Sequence, residues 1–330
     1  MTFDCTIALE SWRLQEPFEI AREVLTDIGV LVVRLRDGQG HTGCGEAAGV
    51  SYDGETPESM AAQVKAVLPL LRAGMSGAEL MQWLPAGGAR NALDCALWDL
   101  RAKQAGKRAW ELAGEPGALV QPVTTAYTIG LGSEADVRRK IRAARHLPLL
   151  KLKADATRHT SMVRMAREEH PAARLVIDAN QAWDRQLLEH ILPELQAQGV
   201  ELVEQPVPRG TDAQLDGLRS AIPLAADESC TDRGSLEGLL GRYQYVNIKL
   251  DKCGGLTEGL ALARRATELG FGLMVGNMGG TSLAMAPAHV VAQQCAYVDL
   301  DGPLLLREDR AQAMRYQAAL LSPAEPGLWG

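Results

Sequence analysis

No Cys-x-x-Cys pair occurs in this 330-residue chain, and its six cysteines (Cys5, Cys44, Cys95, Cys230, Cys253, Cys295) are scattered. With no secretory leader recognisable, they are expected to be buried reduced thiols. Asp4 interrupts the N-terminal segment before any apolar stretch of signal-peptide length, which points to a cytoplasmic protein. Long charge-free apolar runs are also missing. The least charged region, 271–298, is broken by Gly, Asn, Pro, His and Gln, so no bilayer span is expected. There is no basic run: 34 Lys and Arg stand against 41 Asp and Glu, a formal net charge of −7, which argues against a nucleic-acid partner. No Gly-x-Gly-x-x-Gly follows the run at 123–128, where an open dinucleotide-binding sheet would carry it.

What is present is globular. Hydrophobic residues make up 46% and charged residues 23%, a balance that excludes general disorder. The length suits two domains or one large barrel with an attachment. Residues 6–14 and 28–36 alternate like antiparallel strands, a turn at 37–40 leads to a short strand over 41–46, and 57–72 and 89–105 have helical spacing. In the second helix Ala92, Cys95, Ala96, Asp99 and Ala102 gather small residues on one face, which allows close packing. This part reads as a small α+β domain.

A different rhythm follows. Short apolar runs at 123–128, 149–153, 175–178, 200–204, 224–227, 245–249, 272–276 and 297–299 read as buried strands. Amphipathic stretches such as 133–146, 160–170, 185–198 and 256–269 lie between them. Eight strands alternating with helices predict a parallel β/α barrel, with an open doubly wound sheet as the alternative.

Charged residues recur where these strands end: Lys151 and Lys153, Asp178, Glu204, Asp227, Lys249 and Asp299. In a parallel barrel these ends share the rim on which active sites are built. Asp178, Glu204 and Asp227 offer only oxygen donors from three successive strands, which suits Mg²⁺. Helix N-capping is the plain alternative for any single one of them. Lys153 and Lys249 would flank the metal. A nearby cation lowers a lysine's pKa toward that of a general base, so the pair could remove an α-proton from one face and return one to the other through an enediolate. Lys151 is expected to aim differently from Lys153 along the strand while still reaching the rim.

Lys151-Leu-Lys153, Asp178-Ala-Asn180, Glu204-Gln-Pro206, Asp227-Glu228-Ser229 and Asn247-Ile-Lys249-Leu-Asp251-Lys252-Cys-Gly-Gly255 together resemble the enolase superfamily, in its muconate-lactonizing subgroup. Gly43-Cys-Gly-Glu46 and the run from Asn91 to Asp99 are similar to its capping domain and junction. The resemblance implies a (β/α)7β TIM-like barrel at 120–305 with an α+β cap at 1–115, completed by about 306–330. Val298-Asp299-Leu300-Asp301-Gly302 resembles the Asp-x-Asp of dipeptide epimerases, in which Asp299 and Asp301 would hold a substrate's free ammonium; a strand-to-turn Asp-Gly is the alternative.

The expected substrate contacts are then Lys151, Thr128, Met278, Asp299, Asp301 and the cap-loop Arg22, which could face an acidic second residue. The loop Gly276-Asn-Met278-Gly-Gly280-Thr281 lacks an acid that some relatives of this kind carry. The implied activity is Mg²⁺-dependent epimerisation of a dipeptide such as L-Ala-D/L-Glu, in murein-peptide metabolism, by a protein that could form a homo-oligomer. Weighed against it are o-succinylbenzoate synthase, N-acylamino acid racemase and cycloisomerase activities on the same lysines, and a catalytically dead scaffold.

Overall fold

The computed structural model describes residues 4–20, 24–72, 77–114 and 120–330. The N-terminal part is an antiparallel sheet of β1 (Asp4–Glu19), β2 (Val24–Arg36) and β3 (Thr42–Ala47), covered by α1 (Pro57–Arg72), α2 (Gly77–Trp83) and α3 (Gly88–Ala105). β1 and β2 run longer than the alternation predicts. They continue past a register shift between Arg13 and Phe18, so that Phe18 pairs with Leu25.

β2 is buried on both faces. Leu31, Val33 and Leu35 pack with Met60, Val64, Leu93 and Leu97 of the helices, whereas Val30 and Val32 join the core on the other side. The small-residue face of α3 lets β3 approach closely. A Cβ on Gly45 would lie 2.1 Å from the Ala92 carbonyl oxygen, and one on Gly43 2.2 Å from that of Ala96.

Beyond α4 (Ala109–Leu112), the predicted first strand at 123–128 is divided in two. β4 (Val123–Thr124) pairs with β14 (Leu320–Leu321), itself paired with β13 (Tyr316–Gln317), and only β5 (Tyr127–Ile129) enters the large sheet. The C-terminal segment captures the backbone at the break, where Thr125 N donates to Ala319 O at 2.8 Å.

The large sheet runs β5, β6 (Leu149–Lys153), β7 (Arg174–Asp178), β8 (Val200–Glu204), β9 (Leu224–Ala226), β10 (Tyr245–Ile248), β11 (Gly272–Val275) and β12 (Tyr297–Val298), all parallel neighbours in chain order. Ala126 N donates to Val298 O at 2.7 Å and so joins the last strand to the first. Helices α5 (Glu134–Ala143), α6 (Thr160–Glu169) and α7 (Arg185–Ala197) follow β5, β6 and β7. After β10 come α8 (Leu250–Cys253) and α9 (Leu256–Glu268), α10 (Ser282–Ala292) follows β11, and α11 (Gly302–Leu305) follows β12.

The alternation with α-helices is not complete. After β8 and β9 the chain makes only 3₁₀ turns, at Asp212–Leu215 and Arg233–Leu239. Pro206, Pro208 and Pro223 interrupt the first connection, and Gly234, Gly238 and Gly241 the second.

The chain's last residues return to α3. Trp329 Nε1 donates to Cys95 O at 3.0 Å, and Gly330 N to Asp99 Oδ1 at 2.6 Å. Among the described residues no helix is long and apolar enough to cross a membrane.

Candidate active site

The ends of β5 to β12 open into a cavity of about 250 Å³. Its upper wall comes from β1, β2 and the turn at Ser51–Asp53, including Phe18, Ile28 and Tyr52. Its floor includes Thr128, Lys151, Lys153, Asp227, Lys249, Met278, Asp299 and Asp301. Sequence reasoning placed all eight at the site, and the fold brings them together. Arg22 lies outside the described residues.

Lys151 and Lys153 are two positions apart on β6 and therefore share a face, contrary to the divergent aim expected for them. Both reach the same Asp178 Oδ2, at 3.1 and 2.7 Å. Lys151 is also 2.8 Å from Glu204 Oε2 and 2.8 Å from Asp299 Oδ2. Across the floor, Lys249 Nζ donates to Asp227 Oδ2 at 2.7 Å while Lys252 Nζ takes Asp227 Oδ1 at 2.6 Å. Asn247 Nδ2 donates to Glu204 Oε1 at 2.7 Å. Thr128 N donates to Asp301 Oδ2 at 2.6 Å, and its hydroxyl reaches Asp299 Oδ1 at 3.4 Å.

Burial works against every one of these charges, and the pairing decides which survive. Burial alone would raise the Asp178 carboxyl, but Lys153 and Lys151 hold it at about 2. Asp227 is likewise desolvated, yet Lys249 and Lys252 hold it well below the carboxylate range. Glu204 is pushed up to about 7 by burial and by Asp178. Burial and Asp299 push Asp301 up to about 7. Burial opposes the charge of Lys249, but direct pairing with Asp227 keeps its ammonium above the ordinary lysine range.

The lysines engage all three acids, Asp178 and Glu204 through Lys151 and Asp227 through Lys249 and Lys252. Among the described residues no group of three His, Cys, Asp or Glu is arranged to hold a metal ion. Each carboxylate is drawn instead toward an ammonium group. The donor set still suits Mg²⁺: the three acids are fully buried, supply only oxygen, and end neighbouring strands. Glu204 Oε2 is engaged by Lys151 at 2.8 Å, whereas Glu228 Oε2 is buried without a hydrogen-bond partner.

Several residues went unassigned in the sequence reading. Lys252 and Asn247 stood inside a recognised motif without a role, although each contacts a metal-candidate carboxylate. Asn180, Gln181 and Gln205 adopt left-handed backbone, with φ of 44°, 69° and 35°. Three such non-glycine residues beside two of the acid-bearing strands mark a constrained rim. Nothing in the side-chain pattern announces that conformation.

A parallel barrel with lysines and carboxylates at its strand ends, roofed by an α+β layer, defines a capped-barrel enzyme. Residues 2–114 match the mandelate racemase / muconate lactonizing enzyme N-terminal domain family, and residues 134–328 match the enolase C-terminal domain-like family. The chain belongs to the enolase superfamily, and it is an isomerase.

N-acetyl-D-glutamate racemase of a Pseudoalteromonas species is 43% identical over 78% of this chain and 80% of that protein. L-Ala-D/L-Glu epimerase of Escherichia coli is 40% identical over 93% of this chain and 95% of that protein. An Agrobacterium tumefaciens enolase family member with homology to dipeptide epimerases, solved with sodium and L-Ala-L-Glu, superposes with a TM-score of 0.96 at 42% identity, covering 99% of this chain and 100% of that one. A Methylococcus capsulatus dipeptide epimerase, solved with Mg and L-Arg-D-Lys, superposes at 0.90 and 30% identity, covering 100% and 99%.

Proposed function

We propose that this isomerase is a Mg²⁺-dependent dipeptide epimerase of the L-Ala-D/L-Glu type, using Lys153 and Lys249 as its two bases. The observation that carries the reading is topological. The two lysines end β6 and β10, on either side of the three strands that lead to Asp178, Glu204 and Asp227, and both line one cavity.

In this reading one lysine, as the free amine, takes the α-proton from its face of the substrate. The other, as ammonium, delivers a proton to the opposite face, so the configuration inverts and the pair ends with its total proton count unchanged. Asp178, Glu204 and Asp227 hold Mg²⁺, which when bound supplies the positive charge that stabilises the substrate carboxylate as its α-proton leaves. Lys151 adds a fixed positive charge beside that carboxylate. Asp299 and Asp301 receive the substrate's ammonium, while Thr128 and Met278 wall the cavity. Arg22, whose segment lies outside the described residues, is assigned to an acidic second residue of the substrate. The cap is assigned to 1–115 with 306–330, the barrel to 120–305, and the setting to murein-peptide metabolism in the cytoplasm.

One observation favours a second reading, racemisation of an N-acylated amino acid. Asp299 is already paired with Lys151, and a relative of 43% identity is named for N-acetyl-D-glutamate. The deciding experiment follows α-proton exchange in heavy water with Mg²⁺, on L-Ala-L-Glu and on N-acetylglutamate side by side. Faster exchange of the dipeptide is expected; faster exchange of the N-acetyl compound selects the racemase.

A further inference from the structure

We propose that Gln205 is a positioning residue that holds the Asp227 turn and, through it, the Lys249 side of the site. This rests on the two-lysine reading and adds a residue to it.

Gln205 follows Glu204 directly, is fully buried, and sits in left-handed backbone at φ 35°. A non-glycine residue keeps that conformation only where its surroundings over-determine it. Here both backbone groups are engaged: Gln205 N donates to Ala225 O at 2.8 Å, and Gln205 O accepts from Gln181 N at 2.8 Å.

The side chain spans the gap to the next acid-bearing strand. Its Oε1 accepts from Asp227 N at 2.8 Å and from Ser229 N at 3.1 Å, using both lone pairs. Its Nε2 lies 2.9 Å from Val207 O, 3.0 Å from Ser229 Oγ and 3.2 Å from Tyr243 Oη. Those two hydroxyls each donate to Asp212 Oδ1 at 2.6 Å, which leaves their lone pairs for the amide. The Asp212 carboxylate thus sets the direction of the hydroxyls, the hydroxyls set the orientation of the amide, and the amide oxygen is turned toward Asp227 N.

What this bracket steadies is asymmetric. Asp227 divides its two oxygens between Lys249 and Lys252. Lys153 is anchored elsewhere, on Asp178. Loosening the Asp227 turn should therefore disturb the Lys249 face and spare the Lys153 face.

The test compares wild type, Gln205→Met and Lys249→Ala at saturating Mg²⁺, following α-proton exchange in heavy water from each epimer separately. Gln205→Met should slow, by about tenfold to a hundredfold, the epimer that Lys249→Ala silences, and leave the other within about twofold. Calorimetric titration of Mg²⁺ into the metal-free protein should show about tenfold weaker binding. Equal slowing of both epimers, or a lowered melting temperature with neither change, overturns the proposal. Should Gln205→Met fail to fold, Tyr243→Phe removes only one partner of the amide. It must show the same one-sided loss in smaller measure, and a symmetric effect or none overturns the proposal. If the wild type exchanges neither epimer, the two-lysine reading falls first. The Mg²⁺ titration then judges the bracket alone, and unchanged affinity refutes it.

Discussion

Lys151 Nζ lies 2.8 Å from Asp299 Oδ2, so a residue expected to greet the substrate's carboxylate is tied to one expected to greet its ammonium. The pair spans β6 and the end of β12, and Asp178 and Glu204 complete the shell around the same ammonium. Asp299 is therefore no isolated anion waiting for a cation. A dipeptide's ammonium must share it with Lys151, whereas Asp301 is held by Thr128 N at 2.6 Å.

That arrangement sharpens the specificity prediction. Asp299→Asn or Asp301→Asn should lower kcat/KM for L-Ala-L-Glu by about ten- to a hundredfold, as expected for loss of a charge-assisted contact in a closed site. Activity on N-acetylglutamate should hold or rise, because the site would carry one carboxylate fewer. Paired kinetics on the two substrates check this, and equal losses would assign the acids to the barrel rim.

The lysines should fail in mirror fashion. Lys153→Ala is expected to abolish α-proton exchange from one epimer and Lys249→Ala from the other, with residual exchange on the remaining face. Nuclear magnetic resonance in heavy water reads both epimers directly. Full epimerisation by either variant would rule out a two-base mechanism.

Metal dependence supplies a third expectation. Chelation should silence the enzyme and added Mg²⁺ should restore it. Asp178→Asn, Glu204→Gln and Asp227→Asn should each reduce turnover at least about a thousandfold with the secondary structure retained. Circular dichroism and rates measured across a Mg²⁺ series separate loss of the ion from loss of the fold. Near-wild-type turnover at low Mg²⁺ would remove that residue from the ion's shell.

A fourth prediction concerns stability and lies away from the chemistry. Burial pushes Asp94 from 3.8 up to about 6, against hydrogen bonds from Thr257 N at 2.9 Å and Thr257 Oγ1 at 2.6 Å. Between those values the folded state holds a proton that the unfolded state has released, so stability falls as pH rises from about 4 to about 6. The difference corresponds to at most about 3 kcal/mol. In Asp94→Asn that part of the decline should vanish. Denaturant midpoints of both proteins across the window measure it, and parallel curves would show that Asp94 does not titrate there.

Much of this molecule is legible in its sequence alone. The spacing of charges from Lys153 through Asp178, Glu204 and Asp227 to Lys249 follows the β/α repeat, because a parallel barrel returns to the same rim once per unit. The oxygen-only donor set and the flanking lysines could be read for the same reason. Less legible were the connections after β8 and β9, where proline and glycine replace helix by 3₁₀ turns. Arg22 was assigned from the sequence, but its segment lies outside the described residues.

The linear order of residues determined which side chains reach the rim, since strand ends and periodicity are local properties. Only the tertiary structure decided how those charges divide among themselves. The split of the predicted first strand came from a C-terminal segment about 195 residues away along the chain, which claims the backbone at Thr125. The pairing of Lys151 with Asp299, the sharing of Asp227 between Lys249 and Lys252, and the left-handed turn of Gln205 likewise depend on neighbours brought from distant strands. In a buried, poorly solvated floor, the nearest opposite charge or hydrogen-bond partner sets each group's state, and sequence spacing does not specify which partner that will be.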